Sequence, residues 1–91
     1  MTLTLVVKKK WFDKIKSGEK TTEYREAKDY WNKRLNKEID TIIFKNGYQK
    51  NAPMLIADFE CIDIVDGIGT DLKIEKKVYA IGFRNVRPYY A

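Results

Sequence analysis

The segment from Met54 to Val65 constrains the fold more than any other part of the chain. It follows Pro53, is long, and is rich in β-forming residues. Leu55, Ala57, Phe59 and Cys61 occupy alternate positions, the pattern of a strand buried on one face. The apolar set then slips to Ile62 and Ile64. Strand side chains alternate with a period of two, so a slip of one residue turns the apolar face to water unless the strand carries a bulge or a corner. Barrels bend their strands in this way. The chain of 91 residues has room for one domain, 1–91, around one thin core.

The remaining elements follow from periodicity and punctuation. Residues 3–7 predict a first strand. From Lys9 to Ser17, Trp11, Phe12 and Ile15 share one helical face, and Gly18 stands where a left-handed residue ends a helix. Thr21 to Arg25 predicts a second strand, and Asp29 is expected to cap a short helix through Leu35. Thr41 to Phe44 predicts a third strand, followed by the turn signal Asn46-Gly47. After the long segment, Asp66 to Asp71 reads as a loop, and Val78 to Val86 as a last strand alternating Tyr79, Ile81 and Phe83 with smaller residues. The last strands lack helical crossovers, which argues against a βαβ sheet. The expected class is α+β: a small, mostly antiparallel β-barrel with two short helices.

Composition narrows the chemistry. Eighteen basic residues against 13 acidic ones, with 13% aromatics, suit a polyanion, and they equally suit a well-solvated surface. There is no histidine and one cysteine, which rules out an internal disulfide, a His/Cys metal site and histidine-based proton transfer. Cys61, within an apolar stretch, is expected to be a small core residue rather than a nucleophile. Asp58, Glu60, Asp63 and Asp66 are too sparse for a calcium loop, so no metal and no cofactor are expected. The opening Met1 to Val7 is too short for a signal core, and its charges follow rather than precede it. No apolar run reaches membrane length, so the expected setting is cytoplasmic, with no membrane partner.

The densest chemical signal is Gly18-Glu19-Lys20-Thr21-Thr22-Glu23-Tyr24-Arg25. In a strand, Thr21, Glu23 and Arg25 point one way and Thr22 and Tyr24 the other, with Lys20 nearer the turn. Glu23 and Arg25 facing a core or cleft must neutralise each other or meet a ligand. Arg25 offers a planar fork for a phosphate or a base edge, Glu23 accepts from an exocyclic amine, and Lys20 is a point charge. An exposed strand with a cross-face ion pair, contributing about 0–1 kcal/mol, also satisfies the pattern. Tyr48, just after the turn signal, is expected to line the cleft more than Trp31, whose ring suits stacking on a base or packing on the core. Lys9, Lys10 and Lys45 are candidate phosphate contacts, or simply solvated lysines.

Residues 3–25 resemble the ASCH family, a branch of the PUA-like superfamily. The resemblance rests on a leading strand, a helix with Trp11, Phe12 and Ile15, and then Gly18-x-Lys20-x-x-Glu23-x-Arg25, similar to the family's G-x-K-x-x-E-x-R signature. Tyr30-Trp31-x-x-Arg34-Leu35 and Phe44-x-Asn46-Gly47-Tyr48 look like a small bacterial and phage branch. The resemblance implies a small β-barrel with a cleft beside the first helix, binding RNA, a nucleotide or a modified nucleoside through Lys20, Glu23, Arg25, Tyr48 and Trp31. Some members of that family are enzymes, either N4-acetylcytidine amidohydrolases or ribonucleases. The amidohydrolase set is a lysine, a threonine three residues later and a distant glutamate. Lys20 matches the lysine, Glu23 replaces the threonine, and only Asp71 or Glu75 is available for the third role. In an enzyme, Lys20 would be the base or activator and Glu23 the proton shuttle. A third possibility is a protein-interaction accessory of a phage or mobile element.

Overall fold

The computed structural model describes residues 1–90. Strand β1 (Thr2–Val7) leads into helix α1 (Lys9–Ser17), then β2 (Thr22–Glu26), α2 (Asp29–Leu35), β3 (Thr41–Asn46), β4 (Met54–Asp66), a single 3-10 turn at Gly67–Gly69, and β5 (Lys77–Tyr89). The strands form one five-stranded sheet in the order β1-β3-β4-β5-β2. β1 runs parallel to β3, and every other neighbouring pair is antiparallel. The fold is therefore α+β: a curled mixed sheet, a half-barrel, with two helices. Among the described residues no helix is long and apolar enough to cross a membrane.

Curling comes from two irregularities in the β4–β5 pairing. Asn85 and Val86 together face Ala57, because Ile56 pairs with Arg87 and Asp58 with Arg84. Asn85 adopts φ 55°, a left-handed conformation that asparagine tolerates better than most residues. The second irregularity leaves Glu60 as the extra residue, since Phe59 pairs with Phe83 and Cys61 with Gly82. An added residue reverses the facing of everything after it. Ile62 consequently packs on the core, opposite the fully buried Ile81.

That reversal overturns one expectation. Cys61 is exposed, not a core residue, because the bulge falls just before it rather than after it. Ile64, expected on the apolar face, is 60% exposed: β3 pairs with β4 only as far as Asp58, so beyond that point β4 is an outer strand with β5 alone beside it.

The core lies on the concave side of the sheet. Leu3, Leu5, Ile42, Phe44, Leu55, Ala57, Ile81 and Phe83 point inward from the strands. Phe12 and Ile15 of α1 close this side against β3 and β5. Helix α1 ends where its sequence predicts, with Gly18 at φ 85° donating its amide to the Ile15 carbonyl. Helix α2 differs at its start. Lys28, not Asp29, is the N-cap residue, and its side chain makes no capping bond. Asp29 lies one position inside, where its charge faces the positive helix pole.

Asp58 pins the Asn85 irregularity. It accepts from Asn85 Nδ2 at 2.7 Å and from Arg87 Nη1 at 3.1 Å. These donors, Asn85 first, hold its carboxyl below the ordinary aspartate value of 3.8. A lowered folded-state pKa stabilises the fold above the unfolded value, and that contribution disappears as pH falls through the folded one. Stability should drop on acidification below about pH 4, and Asp58→Asn should flatten this part of the profile. Urea melts of both proteins across the acid range check it, and parallel profiles would show that Asp58 is not responsible.

Candidate functional site

The end of α1 delivers Lys20. Its amide donates to the Lys14 carbonyl at 3.0 Å, which ties the residue to the last helical turn. β2 then delivers Glu23, opposite Ile81 in the register, and Arg25, opposite Tyr79. Lys20 and Glu23 are the buried charged side chains of the described structure. Burying such charges is tolerable only when each is neutralised and hydrogen-bonded.

The charges form a chain. Lys20 Nζ lies 3.4 Å from Glu23 Oε1. Arg25 Nη2 donates to Glu23 Oε2 at 2.6 Å and to the Val6 carbonyl at 3.1 Å. Lys20 also donates to the carboxylate of Asp71. Asp71, Lys20, Glu23 and Arg25 thus alternate in sign and sum to zero. Aromatic rings flank them: Lys20 Nζ is 5.0 Å from the Trp11 centroid and 5.1 Å from that of Tyr24, while the Arg25 guanidinium carbon is 5.1 Å from that of Trp31.

Asp71 belongs to a loop fixed by Gly67. A Cβ at Gly67 would stand 2.7 Å from the carbonyl oxygens of both Ile74 and Lys76, so only glycine allows this approach. The Gly67 amide donates to Lys76 at 2.8 Å, and the Thr70 hydroxyl donates to the Gly67 carbonyl at 2.7 Å. The loop folds back and sets Asp71 on Lys20. The sequence names Asp71 and Glu75 as candidates; Asp71 lies against Lys20, whereas Glu75 lines a separate hollow with Ile68 and Lys77.

Two adjoining hollows share Trp11, Tyr24 and Asp71 as walls. One, of about 340 Å³, opens on Lys20, Lys14 and Thr22. The other, of about 480 Å³, is lined by Glu23, Arg25, Trp31, Lys8, Lys28 and Glu26 among others. That size falls within the range of small-ligand sites. Glu26 is kept below the usual glutamate value, chiefly by Lys76 and then by Lys28. Among the described residues no three Asp, Glu or Cys side chains gather as a metal site would require.

The expected site residues separate into groups. Lys20, Glu23, Arg25 and Trp31 come together. Tyr48 does not reach this hollow. It is 87% exposed and borders a neighbouring groove, of which Arg25 and Trp31 form the near wall. Lys9 is drawn to Asp13 at 2.6 Å, and Lys10 lies over the ring of Trp11, so neither lines the hollows. Lys45 stands beside Val6 in the register, one strand away. Besides Lys20, the lysines at the hollows are Lys8, Lys14 and Lys28. Tyr24 and Trp11 were the missed contributors. Alternation sent Tyr24 to the opposite face, but at an edge strand the side chain also reaches the rim.

No protein-family model, curated protein or solved structure matches this chain.

Glu23 is the hub of the charge chain. Glu23→Gln leaves Lys20 and Arg25 without their shared carboxylate in a site where Lys20 and Glu23 are under one-tenth exposed. The expected loss is about 3 kcal/mol of stability, read as a lower urea midpoint at unchanged slope. An unchanged midpoint would show that the pair contributes nothing.

Proposed function

We propose that this chain is an ASCH-like, PUA-like module whose Lys20–Glu23–Arg25 cleft binds one nucleotide unit, free or within RNA. The observation that carries this reading is the alternating chain of Asp71, Lys20, Glu23 and Arg25, walled by Trp11, Tyr24 and Trp31. Flat aromatic walls suit a heterocycle, and alternating donors and acceptors suit its polar edge. Lys8 and Lys28 at the mouth suit a phosphate. The half-barrel with α1 immediately before the motif supports the PUA-like assignment.

Arg25→Lys tests the reading without removing the charge. Lysine still neutralises Glu23 but loses the planar fork. Affinity for nucleoside monophosphates, measured by calorimetry, should fall about 10-fold to 100-fold while the melting temperature moves little. Equal affinity in a folded variant would refute the cleft as the nucleotide site.

A second reading has its own observation. Lys20 lies between two carboxylates, Asp71 and Glu23. A lysine and two acids in one cleft are the residue types that move a proton to a leaving amine. The reaction would hydrolyse an acylated nucleoside such as N4-acetylcytidine. Water would add across the amide, releasing acetate and cytidine. Incubation followed by chromatography should show cytidine with the native chain and none with Lys20→Ala. Equal product from both would remove Lys20 from the chemistry.

A further inference from the structure

Beyond the cleft lies a second groove of about 600 Å³, reached across the shared wall of Val6, Arg25, Lys28 and Trp31. Its own residues are Thr4, Tyr30, Arg34 and Tyr48. The groove differs from the cleft in charge. The cleft is lined by Glu23, Glu26 and Asp71 as well as cations, whereas the groove has cations and no acidic side chain. Arg34 has no carboxylate within ion-pair distance among the described residues.

Its aromatic rings are displayed rather than packed away. Tyr30 is 57% exposed and Tyr48 87% exposed. Tyr30 is nevertheless held in place. Arg34 Nη1 donates to its hydroxyl at 3.2 Å, and the ring meets Trp31 edge to face at 4.9 Å between centroids. Arg34 is itself anchored, donating from Nη2 to the Thr4 carbonyl at 3.2 Å. An exposed ring fixed in advance is a stacking platform that loses little freedom on binding. Arg25 and Lys28 are paired with Glu23 and Glu26 behind the groove wall, whereas Arg34 carries an uncompensated charge. Aromatic faces interleaved with such a cation suit a single nucleic-acid strand, whose bases stack while its phosphates follow the charge.

We infer that the groove of Tyr30, Arg34 and Tyr48 is a second binding site, which takes the nucleotides flanking the one in the Lys20–Glu23–Arg25 cleft. The inference rests on the cleft reading and extends it: the target is a base presented by a single strand, not a free nucleotide. Arg25 and Trp31, as the common wall, mark the passage of the strand from cleft to groove.

Fluorescence anisotropy with a labelled single-stranded RNA decamer, and a DNA decamer of the same sequence, tests this. The four nucleoside monophosphates serve as competitors. Tyr48 is the residue to vary, because its exposure makes a folding defect in Tyr48→Ala unexpected. The decamer should bind at least about 10-fold more tightly than any monophosphate. Tyr48→Ala should weaken decamer binding about 5-fold to 100-fold and leave monophosphate binding unchanged, while Tyr48→Phe, which keeps the ring, restores it. Affinity should fall with salt at a logarithmic slope of about −1.4 or steeper, as for two or more phosphates. Tight binding of either decamer meets the expectation, and a preference between them reports contact with the sugar. Equal affinity for decamers and monophosphates, with no effect of Tyr48→Ala, overturns the groove and leaves the cleft standing. Failure of every probe to bind overturns both.

Discussion

The structure depends on Glu23 holding two cations at once. Its carboxylate takes Lys20 from the end of α1 on one oxygen and Arg25 from its own strand on the other. Arg25 then reaches across to the Val6 carbonyl. β1 and β2 are the two free edges of the sheet. That one guanidinium therefore spans the opening where a closed barrel would have a backbone ladder. The gap is bridged by side chains instead, and a gap bridged by side chains can admit a ligand.

An open sheet edge invites pairing with other chains, and proteins suppress this by covering or charging it. Here the outer edge of β1 is occupied at two of its carbonyls, Val6 by Arg25 and Thr4 by Arg34. Both arginines also lie about 5 Å from the ring of Trp31. The same contacts that block edge pairing thus build an aromatic and cationic wall along the opening. Helix α2 is short, and its Leu35 reaches the core, so its placement rests on that anchor and on the arginine contacts together.

Much of the fold was legible in the chain. Both helices lie where spacing and Gly18 put them, because short amphipathic helices declare themselves locally. The bulge was legible as a slip in β4, since a reversal of facing leaves its mark on apolar spacing. Its position was misjudged by a residue or two, and Cys61 was assigned to the wrong face for that reason. Bulges arise from the partner strand as well, and nothing in β4 announces that Asn85 adds a residue in β5. The parallel pairing of β1 with β3 was not legible, because both strands show the same alternation whichever way they run. Within the site, Lys20, Glu23 and Arg25 were legible from type and spacing. The partnership of Asp71 with Lys20 was not, because it depends on a loop shaped by the close approach at Gly67.

The electrostatics of the cleft decide what kind of ligand suits it. Lys20 and Arg25 are already neutralised by Asp71 and Glu23, so the interior carries no net charge with which to draw in an anion. A ligand gains there through hydrogen bonds and ring contacts, which depend on its shape and polar edge. For the proposed ligand, attraction of phosphates would fall to the rim, where Lys8 and Lys28 are exposed, and to Arg34 along the groove. Interior recognition and peripheral attraction are thereby separated. Charges at the rim act through solvent and are screened by salt, whereas the buried contacts are screened much less. Under the proposed reading, a site divided in this way would distinguish ligands by their bases while holding them by their backbone, which is the division of labour that a nucleic-acid strand requires.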